Sequence, residues 1–350
     1  MGKLQEIALH ITSSCTHSCP MCYATDENME REHGDILILK KIIFNAVLNG
    51  VETINLVGGD PCDYPYMYDL LLYIKATGYA MQKDVRVNVL SNTHIYRDEG
   101  YEIPIIKVLP FIDSMEVTLH GSTIEKHNRF CRKPFAYENV ISRLQEYDRI
   151  RDKDNQKLGI VLNMMPQTAE DTYEIVEKAK EKLDIDYVLI QRIAPSGRAC
   201  GKTCFAINSD ELSLIMKKIE SLSVAYPDME IIFCDTVPFC AVEESQRKFL
   251  LKGGCNWGEE ILAVRMNGDI TRCAMGENVI GNFCDFDNNE KFNEFWNNNP
   301  ELKAFRNRAH LSLECLHCKD YELCKGGCPM SGVVRGKPIG DPYAHNGEHP

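Results

Sequence analysis

Short apolar runs alternate along the first ~200 residues with longer segments whose apolar positions recur at helical spacing. The runs that predict strands are QEIALHIT, ETINLVGG, DVRVNVLSN, DSMEVTLHGS, KLGIVLNMMP and DYVLIQRIAP. Segments such as DILILKKIIFNAVLNG, YMYDLLLYIKATG and YENVISRLQEYDRI predict helices between them. Strands that are apolar throughout are typical of a parallel sheet covered on both faces and joined by right-handed crossovers. Six such units predict an α/β fold, a partial (β/α)6 TIM-like barrel.

After Pro195 the alternation of predicted strands and helices becomes less regular. NSDELSLIMKKIESLSVAYP predicts a helix capped by Asn208 or Ser209, and MEIIFCD predicts one more strand. From about Gly253 the chain is rich in cysteines and turns, although the aromatic spacing of DFDNNEKFNEFWNNNP predicts a surface helix. We therefore predict a barrel over 1–200, a connecting segment over 201–252 and a small cysteine-rich domain over 253–350.

Charge and composition narrow the classes of function. A formal charge of −12 argues against sequence-independent binding of nucleic acid, which depends on Lys and Arg. Lys40 and Lys41 interrupt the apolar run ILILKKIIFNAVL well short of a membrane span, and the N-terminus does not resemble an export signal. The chain is thus predicted to be cytoplasmic. Sixteen cysteines in a reducing compartment favour metal ligation or thiol chemistry over disulfides.

The stretch ITSSCTHSCPMCYA places Cys15, Cys19 and Cys22 as C-x3-C-x2-C directly after the first predicted strand. Sites of α/β proteins form at this carboxyl end of the sheet. Three thiolates can hold three irons of a [4Fe-4S] cluster and leave the fourth iron open. A zinc loop or inert thiols are the alternatives, but zinc sites usually pair two separated C-x2-C hooks.

This spacing resembles the signature of the radical S-adenosylmethionine (SAM) enzymes. In that family the open iron chelates the amino and carboxylate groups of SAM, and one electron then releases a 5'-deoxyadenosyl radical. The resemblance implies a SAM-binding [4Fe-4S] cluster, SAM itself and a reductant such as flavodoxin or ferredoxin. Met21 replaces the family's aromatic residue before the third cysteine, and Tyr23 follows as an expected cofactor-binding residue.

Several predicted strand ends resemble the family's cofactor contacts. Gly58, Gly59, Asp60 and Pro61 form VGGDP, where the family usually has Gly-Gly-Glu-Pro. Glycines allow close approach of the backbone, and the shorter Asp60 carboxylate is expected to accept hydrogen bonds from the SAM ammonium. The other residues that the resemblance assigns to SAM are Ser91, Asn92, His120, Ser122, Gln191 and Arg192. Each is alternatively a polar group that caps its strand.

The C-terminal cysteines are similar to those of the SPASM domain, which carries auxiliary iron-sulfur clusters in radical enzymes that modify peptides and proteins. Cys255, Gly268 and Cys273 fit C-x9-15-G-x4-C, and a C-x2-C-x5-C-x3-C run follows. The resemblance implies two ligand sets, the first being Cys255, Cys273 and Cys328 and the second Cys315, Cys318 and Cys324. A structural zinc knuckle is the alternative for the final run.

Each auxiliary set lacks a fourth thiolate. Near Cys255 no second cysteine follows, which leaves Cys240, Cys284 or an open iron. At the expected terminal cysteine of the second set the chain has Ala344, so we hypothesise that His345 is the ligand. His349, Asp341 or the absence of this cluster are the alternatives. The remaining noteworthy thiols, Cys200 and Cys204, follow the sixth predicted strand beside basic residues and are predicted hydrogen donors or metal ligands.

The resemblance implies a radical SAM enzyme that acts on a peptide or protein, by crosslinking, thioether formation, oxidation or epimerisation. Because the first strand begins by about Gln5, any leader recognition is expected to need a separate leader-peptide-binding protein or a different surface of this chain. Two alternatives stay open: modification of a tetrapyrrole side chain, and an iron-sulfur electron-transfer protein.

Overall fold

The computed structural model describes residues 2–24, 31–193, 196–250, 253–334 and 341–344. Twelve strands are present in this part of the chain. They are β1 Glu6–His10, β2 Thr53–Val57, β3 Arg86–Leu90, β4 Arg97–Asp98, β5 Tyr101–Glu102, β6 Ser114–Thr118, β7 Lys157–Met164, β8 Tyr187–Arg192, β9 Glu230–Phe233, β10 Ile261–Val264, β11 Asp269–Thr271 and β12 Val279–Asn282.

Ten of these strands form one sheet in the order β12-β11-β10-β1-β2-β3-β6-β7-β8-β9. The six strands predicted for the barrel are β1, β2, β3, β6, β7 and β8, and neighbours among them pair in parallel. The strand predicted from MEIIFCD is β9, which extends the parallel series beside β8. The sheet has two ends, as the prediction of a partial barrel requires. The short β4 and β5 pair only with each other.

The predicted helices lie between these strands. The helices are α1 Ile36–Leu48, α2 Met67–Ala80, α3 Ile105–Val108, α4 Ile124–Cys131, α5 Ala136–Ile150, α6 Pro166–Ala169, α7 Thr172–Lys180, α8 Ser209–Ala225, α9 Asn289–Asn298, α10 Pro300–Arg306, α11 Leu313–Leu316, α12 Tyr321–Cys324 and α13 Pro329–Val334. Asn208 caps α8 and exchanges hydrogen bonds with Glu211, which confirms one of the two predicted caps. None of the described helices is long and apolar enough to cross a membrane.

The two faces of the sheet differ. Apolar residues such as Ile7, Leu56 and Val117 are fully or nearly fully buried and join the helices in the main core. The alternate positions carry polar residues, among them Asn55 and Glu116, and these form what we call the inner face. The expectation of strands that are apolar throughout was therefore wrong for β1, β2, β3 and β6. Only the helix-covered face is apolar; the inner face is polar and partly exposed.

The cysteine-rich segment shares its sheet with the barrel. Strand β10 pairs in parallel with β1, with Glu6 opposite Ile261, while β11 and β12 add antiparallel to β10. The predicted surface helix is α9, whose Phe292 and Trp296 are buried. The Trp296 indole N–H also donates to the Gly2 carbonyl at 2.9 Å. The proposed boundary at residue 253 stays a prediction, but this sheet continues across it.

Candidate active site and cluster sites

The cysteine loop lies directly against the glycines that follow β2. The Gly59 N–H donates to the Thr12 carbonyl and the Asp60 N–H to the Ser14 carbonyl, both at 2.7 Å. A Cβ at Gly59 would stand 2.1 Å from the Ser14 oxygen, and one at Gly58 would stand 2.3 Å from the Thr12 oxygen. Such contacts are closer than atoms can approach, so the loop fits only because both residues are glycine.

Asp60 is buried and its carboxylate bonds to the turn that follows β3. One oxygen accepts hydrogen bonds from the Ser91 hydroxyl at 2.6 Å and from the Cys62 N–H at 3.1 Å. The other accepts from the Thr93 hydroxyl at 3.2 Å. Burial raises the pKa of Asp60. Two predicted cofactor-binding residues, Asp60 and Ser91, thus form one polar cluster beside the cysteine loop, and Pro61 begins the short turn after it.

The first cysteine of the loop accepts two hydrogen bonds. The Asn92 side-chain amide and the His17 N–H each donate to the Cys15 sulfur at 3.4 Å. Burial raises the pKa of the Cys15 thiol, and the nearby Cys19 and Cys22 raise it further. The three thiols are therefore close enough to influence one another. Iron binding has to displace their protons, so assembly of a cluster here is favoured by higher pH.

The segment after β8 closes over the third cysteine. The Arg198 N–H donates to the Cys22 carbonyl at 2.8 Å. A Cβ at Gly197 would meet the Tyr23 carbonyl oxygen at 2.5 Å and that of Cys22 at 2.6 Å. The Tyr23 ring stands edge-on to His10, with 6.1 Å between their centroids. Gly197 and Arg198 are thus in direct contact with the cysteine loop.

A buried group of one histidine and two cysteines adjoins the cysteine loop. The sequence analysis did not predict this group. Single ligand atoms of His17, Cys19 and Cys131 all lie within 4.8 Å of one another. Cys131, at the end of α4, also contacts the His127 ring nitrogen at 3.4 Å. A hydrogen bond from the Cys19 thiol to Cys131, together with burial, raises the pKa of Cys19. No cysteine spacing predicts this contact, because Cys131 is far along the chain from Cys15, Cys19 and Cys22.

Two predicted cofactor-binding residues are committed to partners within the protein. The His120 ring stacks on Phe130 with 4.6 Å between centroids, and its backbone N–H donates to His127 at 3.2 Å. Burial lowers the pKa of His120 well below the ordinary value, so the ring is neutral. The Ser122 hydroxyl donates to Asp171 at 3.0 Å. His120 lies near the buried group of one histidine and two cysteines, whereas Ser122 bonds towards α7.

The predicted thiols of the loop after β8 face solvent. Cys200 and Cys204 are both exposed. A different thiol, Cys234 at the end of β9, is close to the Gln191 side chain and receives its hydrogen bond. Gln191 is thereby placed on the inner face beside Cys234.

A polar network crosses the inner face and was missed by the sequence analysis. The Asn88 amide donates to Asn55 at 2.8 Å, and Asn55 in turn donates to Glu6. The Tyr187 hydroxyl donates to Glu116 at 2.6 Å. Burial raises the pKa of Glu116 to about 7, against the lowering effect of the Tyr187 hydrogen bond. The signal was a polar residue at the centre of three otherwise largely apolar strands, Asn55 in β2, Asn88 in β3 and Glu116 in β6.

The first predicted auxiliary set converges on one cavity. Cys255, Cys273 and Cys328 line a space of about 30 Å³. Other residues that line it are Arg192, Ile193, Asp235, Thr236, Trp257 and Arg272. Burial raises the pKa of all three thiols. Three thiols around one enclosed space match the donor chemistry of an iron-sulfur cluster. The cavity adjoins the carboxyl end of β8.

Arg192, predicted to bind cofactor, connects the barrel to the C-terminal segment. Its guanidinium donates to both carboxylate oxygens of Asp341 and to the Thr236 carbonyl. The same carboxylate accepts the Cys328 N–H at 2.7 Å and the Tyr343 N–H at 3.0 Å. Asp341 therefore fixes the backbone at a predicted cluster ligand.

The second predicted set lies on α11, α12 and the turn between them. Burial raises the pKa of Cys315, and the neighbouring Cys324 and Cys318 add to this increase. Cys318 is exposed, and its sulfur accepts the Asp320 N–H at 3.4 Å. These thiols form a second sulfur-rich group. The predicted ligand His345 lies outside the described residues.

Family models match both parts of the chain. The model described as Radical SAM superfamily matches residues 9–179, and the model described as SPASM, iron-sulfur cluster-binding domain, matches residues 255–329. The chain belongs to the radical SAM superfamily and carries a SPASM domain. The two family models imply [4Fe-4S] clusters and SAM as cofactors, as predicted.

Individual relatives are distant. A probable GTP 3',8-cyclase of Saccharolobus islandicus is 24% identical over 226 residues, which cover 63% of this chain and 66% of the relative. The chain thus spans just under two thirds of the length of that relative. The structure of Streptococcus suis SuiB bound to precursor peptide SuiA is similar, with a TM-score of 0.73 and 16% identity, over 98% of this chain and 76% of SuiB. The structure of native anSMEcpe with bound AdoMet and Cp18Cys peptide is also similar, with a TM-score of 0.66 and 14% identity, over 93% of this chain and 88% of anSMEcpe. These likenesses establish the fold.

Proposed function

We propose that this protein cleaves SAM reductively and uses the resulting radical to remove hydrogen from a peptide or protein. The observation that carries the proposal is the position of the Cys255, Cys273 and Cys328 cavity, which adjoins the end of β8 rather than lying apart from the barrel. The likeness to SuiB, solved with its precursor peptide, and to anSMEcpe, solved with a peptide, supports the choice of substrate class.

We assign the three irons of the first cluster to Cys15, Cys19 and Cys22. When bound and reduced, this cluster supplies the electron that breaks the sulfonium bond of SAM. Asn92 donates to the Cys15 sulfur and stabilises its thiolate form. The tight packing of Gly59 under the Ser14 carbonyl fixes the direction in which the loop presents its sulfurs.

We assign cofactor roles to the other predicted residues according to their positions in the structure. Asp60 and Ser91 lie beside the loop and are the candidates to meet the amino acid part of SAM. Tyr23, whose carbonyl lies under Gly197, is the candidate at the adenine. Arg192 and Ser122 are better explained as structural groups, because Asp341 and Asp171 already bind them.

The inner face is the proposed substrate surface. Its carboxyl and amide groups, Glu116 and Asn88, can bind peptide N–H and C=O groups by hydrogen bonds. A Glu116 that retains its proton near neutral pH donates as well as accepts. Cys255, Cys273 and Cys328 would hold the first auxiliary cluster, which would supply an electron acceptor next to the carboxyl end of β8.

Three further roles stay proposals. Cys200 and Cys204 are exposed, so they can act on a substrate only at the rim of the site. Flavodoxin or ferredoxin is the proposed reductant. A separate leader-binding protein is the proposed partner for recognition of a precursor peptide.

The reaction is tested with the anaerobically reconstituted full chain. Incubation with SAM and dithionite is expected to yield 5'-deoxyadenosine, measured by liquid chromatography and mass spectrometry. Cys15→Ala, Cys19→Ala and Cys22→Ala should each abolish the product. Cys284→Ala is the matched control. The Cys284 thiol lies beside Lys41 and belongs neither to the N-terminal triad nor to the two auxiliary sets of three cysteines. Wild-type product yield in all three triad variants would overturn the assignment of the loop.

The substrate class is tested separately with deuterated candidates. Peptides encoded near the gene, tetrapyrroles and GTP are offered in turn, and deuterium transfer into 5'-deoxyadenosine identifies the substrate. Transfer from a peptide supports the proposal. Transfer from a tetrapyrrole or from GTP, with none from peptides, would refute the substrate class while leaving the radical chemistry in place.

A further inference from the structure

A fourth cysteine lies beside the second auxiliary set. Cys240 belongs to the short helical turn Phe239–Ala241, which follows β9 and precedes the SPASM domain. It packs against a small buried cluster formed by Leu311, Cys315 and Ala344. The chain thus brings a thiol from the connecting segment to the cysteines of α11 and α12.

Two further contacts place this turn at the same sulfur group. The N–H of Phe239, the residue before Cys240, donates to the Cys324 sulfur at 3.3 Å. Cys240 also lies close enough to Cys315 and Cys324 to interact with both thiols. Packing and a backbone hydrogen bond therefore both associate Cys240 with this set.

We propose that Cys240 is the fourth protein ligand of the second auxiliary cluster, completing the set formed by Cys315, Cys318 and Cys324. Each iron of a [4Fe-4S] cluster takes one protein ligand, and thiolate is the usual one. The inference rests on the proposed presence of this second cluster. It moves Cys240 from the first auxiliary cluster, where the sequence analysis had considered it, to the second.

The other donors that the sequence offered are less suitable among the described residues. The Asp341 carboxylate bonds to Arg192 and to the backbone of Cys328 and Tyr343. Cys284 lies near Lys41 and Asp269, and its sulfur is close to the turn at Gly268. A set of four thiolates also predicts a lower reduction potential than a set that includes a histidine.

Ala344 gives the inference a sharp test, because it packs in the same cluster as Cys240. A sulfur placed at residue 344 would therefore lie beside the same group of cysteines as Cys240. If Cys240 is the ligand, Ala344→Cys should restore what Cys240→Ala removes. A role of Cys240 in packing alone predicts no such rescue.

The experiment uses the full chain with Cys15, Cys19 and Cys22 changed to Ala, which removes the signal of the first cluster. Iron and sulfide content and the EPR spectrum of the reduced protein are measured after reconstitution. Cys318→Ala should lose about four irons per chain, and Cys240→Ala about one to four irons, with an altered spectrum. The double variant Cys240→Ala and Ala344→Cys should recover both. Cys284→Ala should change neither.

The outcomes distinguish the hypothesis that the second auxiliary cluster is present from the hypothesis that Cys240 is its ligand. Unchanged iron and spectrum in Cys240→Ala, together with iron loss in Cys318→Ala, would exclude Cys240 and leave the second cluster standing. No iron loss in Cys318→Ala would overturn the second cluster and this inference with it. Should Cys240→Ala fail to fold by circular dichroism, Cys240→Ser preserves the shape of the side chain. An unchanged EPR spectrum in that variant would equally exclude the ligand.

Discussion

Arg192 and Asp341 form a buried ion pair that joins the sixth barrel strand to the last described segment of the chain. The guanidinium bonds to both carboxylate oxygens, and its plane lies over the Tyr343 ring with 4.8 Å to the centroid. Both side chains are almost wholly buried. The pair therefore holds the Cys328 backbone, at the first auxiliary site, in a fixed relation to β8.

Removal of one partner should be costly because it leaves the other charge buried and unpaired. We expect Asp341→Ala to lower the free energy of unfolding by about 3–5 kcal/mol. The measurement is urea denaturation of the metal-free chain, followed by circular dichroism. Glu52→Ala is the control, since its ion pair with Lys3 is exposed and should contribute about 1 kcal/mol or less. Equal effects of the two variants would contradict the structural role of the buried pair.

Two glycines of the loop after β8 form a matched test of the contact with the cysteine loop. Gly197 and Gly201 both have positive φ, at +55° and +70°. A Cβ at Gly197 would meet the carbonyls of Tyr23 and Cys22, whereas a Cβ at Gly201 meets nothing within 4 Å. Gly201→Ala should cost only about 1–2 kcal/mol of backbone strain. Gly197→Ala should in addition displace Cys22.

The expected readout is iron bound at the first cluster and the yield of 5'-deoxyadenosine. Both should fall in Gly197→Ala and remain near wild type in Gly201→Ala. Auxiliary iron should be retained in both variants, which separates local displacement from global unfolding. Equal losses in the two variants would show that backbone strain, rather than the contact with Cys22, limits this loop.

The buried Glu116 makes stability depend on pH. Burial raises its pKa from the ordinary 4.5 to about 7, so the folded protein holds a proton that the unfolded chain releases. The resulting stabilisation is complete below about pH 4.5 and is lost as the pH rises through about 7, by up to about 3 kcal/mol. Glu116→Gln should flatten this part of the profile. Burial also raises the pKa of Glu6, so Glu6 makes stability depend on pH in the same direction. Glu6 is present in both proteins.

Urea denaturation of wild type and Glu116→Gln at several pH values between 4 and 8 measures the difference. Tyr187 donates to Glu116, and the Cys234 thiol lies close by, so both neighbours should be kept unchanged. Parallel profiles for the two proteins would mean that Glu116 titrates normally.

The exposed thiols should react before the buried ones. Cys200 and Cys204 are exposed, while Cys62 is buried and its pKa is raised by that burial. Iodoacetamide should therefore modify Cys200 and Cys204 at least about tenfold faster than Cys62 in the folded, cluster-free chain. Peptide mapping by mass spectrometry gives the rates. Protection of Cys200 to the level of Cys62 would indicate that its loop faces the site, as the sequence analysis expected.

Hydrophobic patterning and cysteine spacing predicted the scaffold well, because both are local properties of the chain. The six strands, the helix α8 with its Asn208 cap and the aromatic helix α9 are where the patterns placed them. The convergence of Cys255, Cys273 and Cys328 on one cavity also agrees with the predicted ligand set. The assignment of that set to a cluster remains to be tested by metal analysis.

Side-chain partners across long sequence distances were not predictable in this way. Spacing could not show that Arg192 bonds to Asp341, or that Cys131 reaches Cys19. Nor could it place Cys240 beside Cys315. The polar inner face could have been predicted, because a polar residue interrupts several apolar strands. We interpreted those strands as uniformly apolar. Alternation with a period of two is the pattern that would have revealed it.

The pairing of β1 with β10 has a consequence for how the chain folds during synthesis. Glu6 lies beside Ile261, so the partner of the first barrel strand emerges only after most of the chain has been translated. Until then one edge of β1 offers unpaired backbone groups to any neighbouring strand, including that of a second nascent chain. The barrel is therefore expected to depend on its cysteine-rich segment for solubility on the ribosome. A chain stopped at residue 252 should accumulate in aggregates, even though every helix and strand of the predicted barrel has already been made.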